Sequence, residues 1–132
     1  MRAQRAAAIG NAAEAHYQKG VTYANTAGSS EMAATEFDAA LRYIPDYKDS
    51  RQLAAESLYR DGASSARIAG SSERAATLFD AAVRYVPNYK DSSQLAAASI
   101  YRDGVDLMAK KDFKNAVSKL RRVDNYMPGF KD

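Results

Sequence analysis

The sequence contains no cysteine, which removes two classes of site at once. Disulfide bridges cannot form, and thiolate ligands for a metal ion are absent. The single histidine, His16, also excludes motifs in which two histidines bind one metal ion. The motifs of nucleotide-binding enzymes and serine hydrolases do not occur. We therefore expect no catalytic residue, no metal site and no cofactor.

Long apolar runs and prolines are equally scarce. No run of 18 apolar residues occurs, so the sequence predicts no helix that inserts into a membrane. The N-terminal 16 residues are rich in alanine but too polar for a secretory signal, and the cellular compartment is left open. The only three prolines are Pro45, Pro87 and Pro128, at nearly equal intervals. That spacing is the first sign of an internal repeat.

The residues that are abundant favour a helical fold. Of the 132 residues, 46% are hydrophobic and 27 are alanine, enough for one domain of closely packed helices. The net charge is +3, and residues 105–132 alone carry +3. A basic segment can contact nucleic acid or an acidic protein. This segment lacks the aromatic and glycine-rich pattern of a surface that binds single-stranded nucleic acid. We therefore interpret it as a solvated helix face and expect no nucleic-acid partner.

A unit of about 42 residues occurs nearly three times. Residues 31–62 and 73–104 are identical at 24 of 32 aligned positions. The third unit is more divergent and one residue shorter, and the missing residue aligns with Gly28 or Gly70. We expect one domain over residues 1–132, with units at about 1–45, 46–87 and 88–128 and the start of another at 129–132.

Each unit contains an apolar stripe with helical periodicity. The stripe residues of the first unit lie at i, i+1, i+4, i+7, i+8 and i+11, the spacing of one helix face. The spacing recurs in the second unit and, with an interruption at Asp124, in the third. The stripes predict the second helix of each unit, which a proline ends. They comprise Ala33, Ala34, Phe37, Ala40, Leu41 and Ile44; Ala75, Ala76, Phe79, Ala82, Val83 and Val86; and Ala116, Val117, Leu120, Val123 and Met127.

Polar residues mark where the helices should begin. Ser29, Ser71 and Asp112 lie about one helical turn before the three stripes and are predicted to be N-cap residues. Asp49 and Asp91 are each followed by glutamine three positions on, which is the spacing of a capping box. Both carboxylates are therefore expected to cap the first helix of the unit that follows.

The first helix of each unit should be the longer one. The capping signals predict first helices over residues 50–69 and 92–111. Tyr47, Tyr89 and Phe130 lie in the turns that precede such helices or, for Phe130, would precede the next one. We expect these rings to pack the turn against the preceding helix.

These helix pairs resemble the tetratricopeptide repeat (TPR) family, whose unit is two helices with apolar residues at fixed spacing. Gly20 and Tyr23 match the helix-packing glycine of that family and the aromatic residue three positions on. The resemblance implies an all-α solenoid of three helix-turn-helix units. Further matches are Ala33, Phe37, Ala40 and Pro45, and, in the third unit, Gly104, Leu107, Ala116, Leu120, Val123 and Pro128.

The repeat also departs from the family pattern. His16 and Leu58 replace its tryptophan. Lys19, Asp61 and Asp103 replace a leucine. The period is 42 residues rather than about 34, because the first helix begins about two turns early. The turn with the sequence Tyr-Lys-Asp-Ser resembles a longer variant found in bacterial repeat proteins.

The resemblance implies a binding surface. In such a solenoid the first helices line a concave face that holds an extended or helical peptide. The positions that face the peptide are Tyr17, Tyr59 and Tyr101, with Asn25 and Arg67 further along. A regular row of tyrosines offers large contacts at a low cost in conformational entropy. The alternative is that these tyrosines only pack between adjacent first helices.

The last residues lead to a second functional hypothesis. Asp132 stands where the next long helix would be N-capped, so the chain is either a piece of a longer array or is continued by another copy. In the second case Leu120, Val123, Met127 and Phe130 would be partly exposed and would receive the alanine-rich first helix of that copy. Such a head-to-tail contact builds a filament unless it closes into a ring.

The sequence thus predicts a non-enzymatic scaffold that binds a protein or peptide on its concave face. The alternative is a structural subunit that forms a homo-oligomer by head-to-tail stacking.

Overall fold

The computed structural model describes residues 2–128, and within that range the chain forms six α-helices and no β-strand. The predicted all-α class is confirmed. Neighbouring helices pack in pairs, α1 on α2, α4 on α5 and α5 on α6. The helices are α1 (Arg2–Ala24), α2 (Ser30–Tyr43), α3 (Ser50–Ala66), α4 (Ser72–Tyr85), α5 (Ser92–Ala109) and α6 (Phe113–Tyr126).

Contacts within the chain group its residues into two compact units, with the boundary inside α3. The first unit runs to Leu58 and the second begins at Tyr59. This division does not follow the 42-residue repeat, because it falls within a helix. The single domain and the three sequence units stay predictions.

In the first unit, α1 and α2 approach closely at a glycine. Phe37 of α2 is fully buried, as are Ala33 and Ala40 beside it. A Cβ atom built on Gly20 of α1 would lie 2.6 Å from the Phe37 ring, closer than side chains tolerate. Only glycine permits this approach, and the packing role implied for Gly20 is observed.

The second unit repeats this packing twice. A Cβ atom on Gly62 of α3 would lie 3.0 Å from the Phe79 ring, and one on Gly104 of α5 would lie 2.7 Å from Cδ2 of Leu120. Phe79 is the centre of a buried cluster to which α4, α5 and α6 all contribute. The cluster comprises Ala75, Ala76, Phe79, Ala96, Ala97, Ile100 and Val123.

The predicted stripes are the buried faces of α2, α4 and α6, with one exception. The alanines and phenylalanines of the first two stripes are all buried, and the residues at their C-terminal ends are half-buried. In α6, Ala116 and Val123 are buried, but Val117 is 43% exposed. Val117 aligns with Ala76, which α5 and its neighbours cover, and no described helix covers Val117 in the same way.

The prolines end the second helices as predicted. Each helix stops two residues before its proline, and the intervening residue is extended because the proline ring disfavours the helical conformation there. The dihedral angles φ and ψ are −136° and 110° at Ile44, −131° and 103° at Val86, and −145° and 94° at Met127.

The first helices are shorter than predicted. They end at Ala66 and Ala109, not at residues 69 and 111. The chain turns two residues before the next helix, at Gly70 with φ of +89° and at Lys111 with φ of 63°. Lys111 therefore occupies the position with positive φ that Gly70 occupies in the preceding sequence repeat. The expectation that the third unit lacks the residue equivalent to Gly70 is wrong, and the deletion lies earlier in the turn.

The N-cap positions are correct, but the predicted capping bonds are not made. Ser29, Ser71, Asp91 and Asp112 each precede the first helical residue, yet none of these four side chains makes a capping hydrogen bond to a backbone N–H of its helix. The hydroxyl group of Tyr59 instead donates to the Asp91 carboxylate. The capping-box interpretation of Asp91 is therefore wrong, since its carboxylate makes no capping bond and binds a tyrosine of another helix.

Candidate interaction surface

Tyr59 is held by the turn that follows α4. Its ring makes edge-to-face contacts with Phe79 and with Tyr89, each with centroids 5.6 Å apart. Its hydroxyl donates to Asp91, and Nζ of Lys90 lies 5.0 Å from the ring centroid. Cation–π and edge-to-face contacts of this kind each stabilise a folded protein modestly. The Tyr-Lys-Asp sequence of the turn thus supplies three contacts to one tyrosine.

Tyr17 makes the same set of contacts in the first unit. Its ring lies 5.9 Å from that of Phe37 and 5.8 Å from that of Tyr47. Its hydroxyl donates to Asp49 at 2.5 Å, and Nζ of Lys48 lies 4.9 Å from the ring centroid. The repeated turn residues therefore bind the first-helix tyrosine. The sequence predicts that Tyr47 and Tyr89 pack on the preceding helix, but their ring contacts are with Tyr17 of α1 and Tyr59 of α3. Phe130 lies outside the described residues.

These hydrogen bonds change the acidity of the groups involved. The bond to Asp49 raises the pKa of Tyr17 to about 12, and the bond to Asp91 raises the pKa of Tyr59 to about 12. In the first unit Glu14 accepts bonds from Gln18, Lys48 and Tyr47, which lower its pKa to about 2.

The two clusters differ at their second tyrosine. In the first unit the hydroxyl of Tyr47 donates to Glu14, and Nζ of Lys48 lies 2.7 Å from the same carboxylate. In the second unit Tyr89 is only 6% exposed, and its buried hydroxyl finds no hydrogen-bond partner among the described residues. A buried hydroxyl without a partner destabilises the fold.

The other predicted partner-binding residues lie in different surroundings. Tyr101 is half-buried and, like Tyr59, packs against the buried cluster of the second unit. Asn25 and Arg67 are exposed, and each lies just after the end of a first helix rather than on it. Tyr17 belongs to the first unit, whereas Tyr59, Arg67 and Tyr101 belong to the second.

Asp103 is a structural anchor that sequence reasoning missed. It is 3% exposed, and its carboxylate accepts the backbone N–H groups of Gly70 at 3.0 Å and Ser72 at 2.9 Å. Burial raises its pKa, but the bonds from Gly70, Ser72 and Arg102 outweigh that effect and lower it to about 2. An acid that recurs at a position where the family has leucine was the available signal.

Arg102 completes this anchor from the adjacent position of α5. Its guanidinium donates to the carbonyl of Ala66 and, at 3.0 Å, to that of Ile68, while Nε bonds to Asp103 at 3.1 Å. The pair therefore binds the carbonyl of Ala66, the last residue of α3, and the N–H of Ser72, the first residue of α4. Groups at helix ends lack partners within their own helix, and the pair also binds Ile68 and Gly70 between them, so α5 fixes the turn between α3 and α4.

The residues predicted for self-association are mostly internal. Val123 is 2% exposed and belongs to the buried cluster, so the expectation that it lies partly in water is wrong. Leu120 is half-buried against Gly104, and Met127 packs on the same cluster. These side chains hold α6 to its own unit, and Phe130 lies outside the described residues.

Four large apolar side chains of α5 and α6 are exposed. Val105 and Met108 of α5 are each 43% exposed, and Phe113 and Val117 of α6 are 55% and 43% exposed. On each helix the two residues are three or four positions apart and share one face. Exposed apolar residues gathered on one helix pair are the strongest sign of an interaction surface here.

The remaining polar features are used within the units. His16 stacks on Tyr43 with centroids 5.9 Å apart, and its Nδ1 lies 2.9 Å from the carboxylate of Glu36. Two cations of the basic segment, Lys119 and Arg122, pair with Glu73. Within residues 2–128 no three histidine or acidic side chains are grouped to bind a metal ion. None of the helices described combines the length and apolarity needed to cross a membrane.

Comparison with protein-family models, curated proteins and solved structures finds no match for this chain. The resemblance to the TPR family therefore depends on the residues of the repeat alone.

Proposed function

We propose that this protein is a non-enzymatic scaffold, a TPR-like solenoid of three helix pairs that binds other proteins. The observation that supports this function is the exposure of Val105, Met108, Phe113 and Val117 on α5 and α6. Large apolar side chains in water are costly, and a partner that covers them recovers that free energy.

The concave face predicted from the repeat is a second candidate surface for the same function. Tyr17 and Tyr59 use their rings and hydroxyls on the neighbouring turn. In this proposal they hold that turn in place, and Tyr101 and Arg67 of the second unit contact the partner. Tyr101 is the member to test, because aromatic residues dominate the free energy of many interfaces.

The test compares proteins captured from a lysate of the source organism by four immobilised chains. These are the parent, the double variant Met108→Asp with Val117→Asp, Tyr101→Ala, and Met32→Asp. Met32 is 49% exposed on α2 and serves as the matched control. Circular dichroism first establishes that each variant is folded.

Partners that bind the parent and the control but not the double variant would support the α5–α6 surface. Loss with Tyr101→Ala alone would assign the function to the concave face. Capture of the same proteins by all four chains would contradict both surfaces.

A further inference from the structure

We propose that the exposed α5–α6 face binds helix α1 of a second copy of this chain, in the register of the internal repeat. This inference rests on the proposed function and names one partner for it. The docking face is defined as Val105, Met108, Asp112 and Val117.

The second unit contains the template for this contact, in the way α5 lies on α3 and α4. Four residues of α5 spaced as i, i+4, i+7 and i+11 share one helix face: Ser92, Ala96, Ser99 and Asp103. They are 1%, 0%, 4% and 3% exposed. All but Asp103 are small, which allows the helices to approach closely, and Asp103 reaches the turn before α4.

The docking face repeats the surface on which α5 lies. Ala63 and Ala66 of α3 pack against the buried cluster, and Ala76 of α4 belongs to it. In the following sequence repeat these three positions are Val105, Met108 and Val117. The positions are therefore the same, but the side chains are larger and each is 43% exposed. The surface is therefore covered in one sequence repeat and exposed in the following one.

Helix α1 presents the matching face. The four α5 residues have counterparts in α1 at a distance of two 42-residue repeats. These counterparts are Ala8, Ala12, Ala15 and Lys19. Ala12 is half-buried, and the other three are exposed, whereas their α5 counterparts are buried. Serine at two of the α5 positions is alanine in α1. The larger side chains of the docking face would thus meet a face of α1 whose serine-equivalent positions carry alanine. These side chains are smaller and more apolar than those of α5.

The charges are also complementary. In the template, Asp103 accepts N–H groups of residues 70 and 72. The corresponding segment before α6 is Lys111-Asp112-Phe113, which places a carboxylate between the two equivalent positions. In α1 the equivalent of Asp103 is Lys19, which is exposed. Compared with the template, the helix residue changes from an acid to a lysine, and the turn that it faces gains an acid. Lys19 would therefore lie next to Asp112.

A mixing experiment tests this head-to-tail contact. Ala15→Asp blocks α1 but leaves the docking face intact, and Val117→Asp blocks the docking face but leaves α1 intact. Met32→Asp is the control. We expect the mean mass of the parent and of the control to rise with concentration in light scattering. Each blocked variant alone should remain a monomer, and an equimolar mixture of the two should form a dimer and nothing larger.

A charge exchange provides the second, independent variant. Lys19→Asp alone and Asp112→Lys alone should each weaken self-association about fivefold, the scale of a surface ion pair lost and replaced by repulsion. The double variant should return the dissociation constant to within about twofold of the parent value. Circular dichroism checks that α6 persists, since Asp112 also binds Asn115.

A parent chain that remains a monomer at millimolar concentration would overturn the inference. So would self-association of either blocked variant alone, because that contact would be symmetric or located elsewhere. The proposed scaffold function would survive both results if captured partners still depend on Met108 and Val117.

Discussion

The carboxylate of Asp103 on α5 accepts the backbone N–H of Ser72, the first residue of α4, at 2.9 Å. Ser71 is the N-cap residue by position, but its side chain makes no capping bond. An acid from another helix therefore caps α4, and Arg102 beside it donates to the carbonyl of Ala66, the last residue of α3. Because one pair of residues serves two helix ends, the contact holds α5 against the turn between α3 and α4.

The first prediction concerns the strength of this anchor. Asp103→Asn should lower the free energy of unfolding by roughly 2–3 kcal/mol, because buried N–H groups lose a charged acceptor. Asp106→Asn on the same helix is the control, and its exposed side chain should change the value by less than about 0.5 kcal/mol. Urea denaturation measures both. Equal effects of the two substitutions would contradict the anchoring role.

The same carboxylate predicts a loss of stability in acid. The pKa of Asp103 is about 2 in the folded chain, against about 3.9 for an unfolded aspartate. Its contribution is therefore complete above about pH 4 and disappears as the pH falls toward 2. Urea midpoints measured from pH 5 to pH 2 should fall less steeply for Asp103→Asn than for the parent. Parallel profiles would show that Asp103 does not titrate as described.

A second loss of stability is expected in alkali. The pKa of Tyr59 is about 12, raised by its hydrogen bond to Asp91, against about 10 for an unfolded tyrosine. The tyrosine cluster should therefore stabilise the chain below about pH 10 and lose that contribution as the pH rises toward 12. Absorbance of tyrosinate at 295 nm reports the titration. In Asp91→Asn one tyrosine should ionise at lower pH, and an unchanged curve would rule out the bond.

The unpartnered hydroxyl of Tyr89 predicts a stabilising substitution. Tyr89→Phe removes a buried group without a hydrogen bond and should raise the free energy of unfolding by about 1 kcal/mol. Tyr47→Phe, at the equivalent position, should instead lower it, because that hydroxyl donates to Glu14. Thermal melts of the two variants should therefore shift in opposite directions. A shift of both in the same direction would mean that the two turns are equivalent.

The centre of the second unit should be the most sensitive position. Phe79→Ala should lower the free energy of unfolding by about 3–5 kcal/mol, because the ring is fully buried against α3 and α5. Phe113→Ala, the control, removes a ring that is 55% exposed and should cost less than about 1 kcal/mol. Denaturant melts separate the two. A small effect at Phe79 would place the apolar stripe on the wrong face.

Local patterns were sufficient to predict the second helix of each sequence repeat and its buried face. The period of Ala75, Phe79 and Ala82 identified the side of α4 that is buried, because helical spacing alone places these residues on one face. Pro87 fixed the end of that helix through the backbone of Val86. The repeat then extended both conclusions to α2 and, apart from Val117, to α6.

Predictions failed where a polar side chain could choose between partners. Asp91 and Ser71 have the residue types of N-caps, but a cap forms only if no better donor or acceptor competes. Tyr59 supplies a donor to Asp91, and Asp103 reaches the α4 N-terminus in place of Ser71. Both competitors come from helices more than 30 positions away in the chain, a distance at which sequence periodicity carries no information about contact.

The sequence by itself determined the six helices, their order and the apolar face of each second helix, because helix periodicity, proline and glycine act through the nearest few residues. The tertiary structure decided which side chains are free for a partner. It buried Val123 and left Val105, Met108 and Val117 in water, although all four are apolar residues on α5 or α6. Exposure depends on which helix lies beside a residue, and that is a property of the packed chain rather than of any local segment.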